Sequence, residues 1–360
     1  MPDNVPRAIA APLLEWYDAH ARDLPWRARP GANATEPYRV WLSEVMLQQT
    51  QVASVIPYFE KFTSRWPDFA ALAAADDSDL MAAWAGLGYY ARARNLLACA
   101  REVAAIGALP DTEEALRKLP GVGGYTAAAI AAIAFGRRAV VVDANVERVV
   151  SRLFAVAEPL PGARSRIYAL TDSVTPDARA GDFAQAMMDL GSGICTAKSP
   201  RCLLCPLRAQ CDGFATGAPE MFPVKAKKAP KPQRHGTMFW AERDGLVLLV
   251  TRPAKGLLGG MRALPTGPWS DSPPGLMGAP FDIAWQMLDE HAMHGFTHFN
   301  LDCMLAAATI GEHSDAALIQ EVGGEWWPIA DLEAAGLPTV FAKAARIFGR
   351  MRCADGSELD

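Results

Sequence analysis

The chain has 360 residues, 51% of them hydrophobic, and a net charge of -5. That size and apolar content suit two domains with separate cores, and because no apolar run approaches a membrane span and no basic segment followed by an apolar stretch opens the chain, neither insertion nor export is expected. Charge is uneven: residues 1–224 carry -2, residues 225–235 carry +5 and residues 236–360 carry -8, so the acidity of the last third leaves room for a local basic or amide-lined surface of the kind phosphates need.

Along the first part of the chain apolar residues recur at helical steps, as in Trp41, Val45, Val52, Ile56, Phe59 and Phe62, and the alanine-rich stretch 127–134 continues the pattern. Glu44 falls inside this apolar run. Desolvation there would raise its pKa and keep a proton available, although a helical glutamate is ordinarily a solvated charge. Gly86 and Gly88 put Tyr89 on an exposed turn; its alternative reading is an aromatic packed between helices.

Leu119-Pro-Gly-Val-Gly-Gly-Tyr125 joins two helical segments through three glycines, which permit positive φ and close approach of the backbone to a ligand. The amides of Gly121, Val122, Gly123 and Gly124, at the start of the following helix, are candidates to hold a DNA phosphate, against the plainer reading of a tight turn. A further helix opens at Val141-Val-Asp-Ala-Asn-Val-Glu-Arg148. Asp143 at its start is, by position alone, an N-cap.

Cys195, Cys202, Cys205 and Cys211 follow as C-x6-C-x2-C-x5-C. Four thiolates so close in sequence can reach one centre, and their mixed gaps suit an iron–sulfur cube. Zinc modules usually present two C-x2-C pairs, whereas only Cys202 and Cys205 form one here. Disulfides do not suit the reducing, cytoplasmic compartment expected for this chain. The remaining Cys99, Cys303 and Cys353 read as small apolar residues. Lys198, Arg201 and Arg208 in the cysteine loop carry charges suited to phosphates.

Residues 225–235 are basic, contain two prolines and lack apolar periodicity, which predicts an exposed linker between domains 1–224 and 236–360. Beyond it, 237–243 and 246–251 are β-rich runs separated by the hairpin signal Asp244-Gly245. A strand is expected over 296–306 and helices over 283–287 and 341–348. The fold class is therefore multidomain, all-α followed by α+β. His291, His294 and His298 form H-x2-H-x3-H, but no cysteine completes a zinc set and the run crosses a loop into a strand, which disfavours a metal.

Several of these segments carry a family resemblance. The cysteine loop and Leu-Pro-Gly-Val-Gly resemble the cluster loop and helix–hairpin–helix of the endonuclease III superfamily of DNA glycosylases. Leu24-Pro-Trp-Arg27, the segments 41–50 (Trp-Leu-Ser-Glu-Val-Met-Leu-Gln-Gln-Thr) and 86–95 (Gly-Leu-Gly-Tyr-Tyr-Ala-Arg-Ala-Arg-Asn), and Val142-Asp-Ala-Asn145 closely resemble the MutY family of adenine DNA glycosylases, over residues from about 16 to 212. Residues 256–265 and 294–299 resemble, more weakly, that family's Nudix-like C-terminal domain.

The resemblance implies a [4Fe-4S] cluster on Cys195, Cys202, Cys205 and Cys211, and removal of adenine mispaired with 8-oxoguanine or guanine in duplex DNA. Glu44 would protonate adenine N7 and later activate water; Asp143 would stabilise the oxocarbenium ion, with Tyr125 and Asn145 orienting it. Tyr125 stands where endonuclease III-like enzymes carry a Schiff-base lysine, so base removal without an efficient lyase step is expected. Adenine must leave the stack. Gln49 and Tyr89 resemble the intercalating residues, with Thr50 and Leu87 beside 8-oxoguanine, and Trp26, Arg27 and Asp189 resemble residues of the adenine pocket.

In the C-terminal domain the resemblance implies that the Phe296-Thr297-His298 turn reaches the 8-oxoguanine, with Thr297, where the commonest family form has serine, as the hydrogen-bonding residue. The glutamate-rich Nudix signature is missing, so no nucleotide pyrophosphatase activity is expected. The implied protein is a monomer acting at the nucleoid, with no membrane partner.

Overall fold

Contacts divide the chain into two units, residues 1–227 and 228–360, in a computed structural model that describes residues 8–30, 32, 35–226, 230–253, 256–311 and 323–354, the side chains of 78 and 352–354 aside. Among the described residues no helix is long and apolar enough to cross a membrane.

The first unit is all-α: α1 (Ala10–His20), α2 (Pro37–Leu47), α3 (Val52–Arg65), α4 (Phe69–Ala73), α5 (Asp77–Trp84), α6 (Tyr90–Ile106), α7 (Glu113–Leu116), α8 (Gly124–Phe135), α9 (Ala144–Leu153), α10 (Arg164–Val174), α11 (Ala180–Gly193) and α12 (Asp212–Ala215). The apolar run that begins at Trp41 is two helices, because Gln48 turns extended and Gln49 takes a positive φ of 56° between α2 and α3. Helix α8 is buried nearly all round, which its run of alanines allows, and it forms the centre of the unit. Gly181 lets α11 lie against it: a Cβ there would stand 2.4 Å from the carbonyl oxygen of Ala132. Leu13, Tyr17, Val146, Val150, Phe183 and Leu190 make a second apolar cluster that ties α1, α9 and α11 together.

In the second unit the strands are β1 (Gln233–Arg243), β2 (Leu246–Thr251), β3 (Arg262–Ala263), β4 (Gln286–Met287), β5 (Ala292–Gly295), β6 (Asn300–Thr309) and β7 (Gly324–Pro328), and α13 (Thr339–Ala354) follows. The sheet is mixed, in the order β3-β2-β1-β6-β4, with β5 on β6 and β7 on β2. Its spine is a parallel pairing of β1 with β6 from Gln233↔Asn300 to Glu242↔Thr309. Asp244 and Gly245 both have positive φ, the geometry of a two-residue turn whose twist matches its strands. Val340, Phe341, Ala344 and Phe348 of α13 pack on Met238, Trp240, Leu301 and Leu305.

Three expectations need correction. No helix forms over 283–287: Trp285 is held by its Nε1–H donating to the Phe281 carbonyl, and Gln286–Met287 pair as an edge strand with Ala306 and Ala307 of β6. Residues 296–299 are a turn, closed by the Phe296 amide donating to the Phe299 carbonyl at 2.9 Å, so the strand expected from Phe296 begins at Asn300. At the other end of the expected linker, Gln233–His235 already belong to β1, since the parallel partner β6 starts at Asn300. Cys99 and Cys303 are buried. The environment of Cys353, and Lys227, Lys228 and Ala229 of the linker, lie outside the described residues.

Candidate active site

Ends of α2, α8 and α9 converge with the turn before α2 on a cavity of about 800 Å3, lined among others by Trp26, Arg27, Ser43, Glu44, Gln48, Gln49, Thr50, Gly121, Tyr125, Asp143 and Asn145. Folding thus brings together residues spread over more than a hundred positions of sequence. Glu44 is 6% exposed, and its Oε2 has no hydrogen-bond partner. Burial pushes the Glu44 carboxyl up to about 7 and Asp143 adds to the rise, against opposing pulls from the Tyr125 hydroxyl and Arg27. A buried carboxyl at this value exchanges its proton near neutral pH, as a general acid must.

Asp143 caps α9: its Oδ1 accepts the Val146 amide at 2.7 Å and its Oδ2 accepts Asn145 Nδ2 at 2.8 Å. The cap therefore fixes this carboxylate at the cavity wall. Asn145 is oriented from behind by Arg148, whose Nη2 donates to Asn145 Oδ1 and to the Gly191 carbonyl. Gly191 leaves the room, since a Cβ there would stand 2.6 Å from Asn145 Cβ.

Among the described residues Tyr125 has no hydrogen bond to Asp143; its hydroxyl faces the Glu44 carboxyl, whose proton affinity it lowers. Its hydroxyl bonds Met188 Sδ at 4.0 Å, and burial beside the two carboxylates holds the phenol well above its ordinary pKa, hence protonated and able to donate. Asp189 is also recast: it is buried behind the cavity and accepts Arg27 Nη1 at 2.7 Å and Arg22 Nε at 2.6 Å. It positions Arg27 rather than lining the pocket. Trp26 is buried, its ring edge-on to Phe59 at 5.2 Å.

In the hairpin Gly121 alone of the three glycines takes a positive φ, 74°, and a Cβ on it would stand 2.8 Å from Asn95 Cβ. Val122 turns its side chain inward and spends its amide on the Leu119 carbonyl, which removes it as an anion donor. Gly123 and Gly124 remain at the start of α8, which no side chain caps. Tyr89 is 62% exposed at a positive φ of 50°, whereas Leu87 is 7% exposed and packs into the core instead of presenting itself to a ligand.

The four loop cysteines are free thiols lining one common cavity with Arg152 and Ile194. Burial and the mutual repulsion of the would-be thiolates push Cys205 up to about 11 and raise Cys202 and Cys211. Among the described residues no three His, Cys, Asp or Glu side chains are set to hold a single metal ion. The four cysteines nonetheless line one small cavity, and an all-thiolate donor set is the one iron–sulfur clusters use. Arg152, buried at 2%, donates to Cys195 Sγ at 3.3 Å and to the carbonyls of Thr196, Ala197 and Phe222, bracing the loop. Lys198, Arg201 and Arg208 are exposed on it.

In the second unit Thr297 and His298 are exposed at the tip of the turn between β5 and β6, while Phe296 packs among Trp269, His294 and Phe299. Lys231 Nζ donates to the Phe296 carbonyl at 2.6 Å. The three histidines are not gathered: His291 pairs with Asp302, and burial lowers the pKa of His294, whose Nδ1 is unpartnered.

Sequence reasoning missed the buried Arg92 and Arg152 and the half-buried Arg148. Their signal was present, as cations within apolar helical runs, but most of the acceptors they serve are backbone carbonyls that no side-chain pattern encodes.

Known proteins resemble both units. A family of HhH-GPD superfamily base excision DNA repair proteins matches residues 42–169 and a NUDIX domain matches 237–346. The adenine DNA glycosylase of Mycolicibacterium smegmatis is 42% identical over 210 residues, covering 57% of this chain and 70% of that one. The human adenine DNA glycosylase is 38% identical over 318 residues, which are 74% of this chain and 58% of that protein, so the chain spans under two thirds of its human relative. A solved thermostable thymine-DNA glycosylase is 28% identical with a TM-score of 0.53, over 59% of this chain and 97% of that one.

Proposed function

This chain belongs to the adenine DNA glycosylase family, and from that premise we propose that it hydrolyses the N-glycosidic bond of adenine mispaired with 8-oxoguanine or guanine in duplex DNA, as a base-excision repair enzyme. The observation that carries the reading is the pair of carboxyls in one cavity: Glu44, held protonatable near neutral pH by burial, and Asp143, fixed by two hydrogen bonds.

Two carboxyls in such unlike surroundings divide the labour of glycoside cleavage. With adenine flipped into the cavity, Glu44 gives its proton to N7, the C1′–N9 bond breaks with its electrons passing to the base, and the sugar's positive charge develops beside Asp143. Glu44, now ionised, takes a proton from the water that attacks C1′. Tyr125, kept protonated, has no amine with which to form a Schiff base, so the strand stays intact at the abasic product.

Gly121, Gly123 and Gly124 offer close backbone approach to a phosphate, and Gln49 and Tyr89, each on a left-handed turn residue, are the side chains to fill the gap left by adenine. Cys195, Cys202, Cys205 and Cys211 fit a [4Fe-4S] cluster, which when bound would cross-link the loop bearing Lys198, Arg201 and Arg208. The exposed hydroxyl of Thr297 on its tight turn supports recognition of 8-oxoguanine by the second unit.

The test is single-turnover adenine release from a duplex with adenine opposite 8-oxoguanine, against adenine opposite guanine, with strands scored before and after alkali. Release that is faster opposite 8-oxoguanine, lost in Asp143→Asn and followed by nicking only after alkali is expected. No release of adenine from protein with its cluster reconstituted, with release of thymine from mismatches instead, would overturn the assignment.

A further inference from the structure

Arg92 is the most heavily engaged side chain near the cavity, yet its guanidinium makes no ion pair among the described residues. It is 9% exposed; its buried Nε has no partner, and its two Nη groups donate to the chain itself. Nη1 reaches the carbonyls of Met46 at 2.8 Å and Gln48 at 2.5 Å, and that of Val45 at 3.3 Å; Nη2 reaches Thr50 Oγ1 at 3.0 Å and the Leu87 carbonyl at 3.1 Å, with Gly88 at 3.4 Å. The acceptors belong to two turns. One ends α2 and carries Gln49; the other precedes α6 and carries Tyr89. The guanidinium carbon also lies 5.4 Å from the Tyr89 ring centre and 5.3 Å from that of Trp84.

Both turns contain a non-glycine residue at positive φ, Gln49 at 56° and Tyr89 at 50°. Such conformations persist only where surrounding bonds over-determine them. Carbonyls at a helix C-terminus lack intrahelical partners and carry partial negative charge, so a cation is well placed on the end of α2. A guanidinium spreads its donors over two terminal nitrogens in a rigid fork, so Nη1 serves one turn and Nη2 mainly the other; an ammonium has three donors on one nitrogen, too few for these six acceptors.

We propose that Arg92 is a positioning residue that locks the Gln49–Thr50 turn and the Gly86–Tyr89 turn into one rigid wedge, so that Gln49 and Tyr89 enter the base stack together. This rests on the glycosylase reading above, because it assigns those two side chains to the gap. Arg92 itself touches neither a base nor the reacting atoms.

The experiment compares wild type with Arg92→Lys, Tyr89→Ala and the double variant, all with the cluster reconstituted. Two signals are read on one duplex: fluorescence of 2-aminopurine placed next to the mispaired adenine, which reports unstacking on binding, and the single-turnover rate of adenine release. Arg92→Lys is expected to lower the unstacking signal about fivefold and release at least tenfold while the pH dependence of release keeps the wild-type midpoint, since Glu44 is untouched. The double variant should be no slower than Tyr89→Ala, because uncoupled turns have nothing left to coordinate.

Wild-type unstacking and release in Arg92→Lys would overturn the proposal, and so would effects of the two substitutions that multiply in full. If Arg92→Lys does not fold, Thr50→Val, which deletes one acceptor of Nη2 and leaves the arginine in place, must lower the unstacking signal, and an unchanged signal refutes the coupling. Unstacking is read on bound DNA without any chemistry. A protein that unstacks the mispair through Arg92 but releases no adenine would sink the glycosylase reading alone.

Discussion

Asn145 Nδ2 and Asp143 Oδ2 are joined by a 2.8 Å hydrogen bond, across the first turn of the helix that Asp143 itself caps. One carboxylate thus does two separable things. Asparagine caps a helix about as well as aspartate, so Asp143→Asn is expected to melt within about 1 kcal/mol of wild type. Its adenine release should fall by at least about 10²-fold through loss of the charge facing the sugar. Calorimetry beside single-turnover kinetics checks the pair of outcomes; equal losses of stability and activity in Asp143→Asn would reduce this residue to its capping role.

Glu44 predicts a pH dependence of definite sign. Its carboxyl holds a proton more tightly in the fold, at about 7, than at its ordinary 4.5, so the native state binds more protons than the unfolded chain between those values. The contribution is complete below about pH 4.5 and is lost as pH rises through about 7, by up to about 3 kcal/mol. Glu44→Gln, neutral throughout, should therefore outmelt wild type at pH 8 and lose the advantage in acid. Wild-type base release should decline above about pH 7 as the acid form disappears, and Glu44→Gln should be slower by roughly 10²–10⁴-fold. A flat rate profile across pH 6 to 8.5 would contradict it.

Gly191→Ala tests the support behind the site. The added methyl would stand 2.6 Å from Asn145 Cβ, and relief requires α9 and α11 to shift. A cost of about 1–3 kcal/mol is expected. Activity should fall further than that loss of folded protein accounts for, because Asn145 is pushed off Asp143. Measuring release on the folded fraction alone distinguishes the two effects.

Iron and acid-labile sulfide should co-purify in equal amounts with this chain, with broad visible absorption that Cys205→Ser removes. The same variant should bind duplex DNA more weakly, with a shallower dependence of affinity on salt as Lys198, Arg201 and Arg208 lose their fixed positions. Stoichiometric zinc in place of iron would reverse the choice of metal.

At Thr297, replacement by valine keeps the shape and removes the hydroxyl. The preference for adenine opposite 8-oxoguanine over adenine opposite guanine should drop about tenfold, equivalent to one hydrogen bond of about 1.4 kcal/mol, and Thr297→Ser should retain it. An unchanged preference in Thr297→Val would remove this residue from lesion recognition.

Much of the first unit was legible in the chain, because helical spacing, glycines at forced turns and clustered cysteines are local signals. The four cysteines stood out by their spacing, whereas Glu44 and Asp143 were singled out by the family resemblance of their segments, since by residue type alone they read as a solvated charge and an N-cap. Val122, Leu87 and Asp189 misled, since a motif names a segment without saying which of its side chains turn inward. The second unit was harder to read: whether 283–287 and 296–299 form helix, strand or turn depends on pairing with β6, a partner distant in sequence.

Sequence alone therefore determined the two-part architecture, the clustering of four cysteines in one loop and the chemical types available for catalysis, all of which follow from periodicity, spacing and side-chain chemistry. Tertiary structure decided the rest. Only packing buries Glu44 deeply enough to hold its proton at neutral pH, sets Asp189 behind Arg27, and surrounds Arg92 with carbonyls from two turns. Desolvation and hydrogen-bond geometry are properties of three-dimensional neighbours, and the order of residues along the chain does not contain them directly.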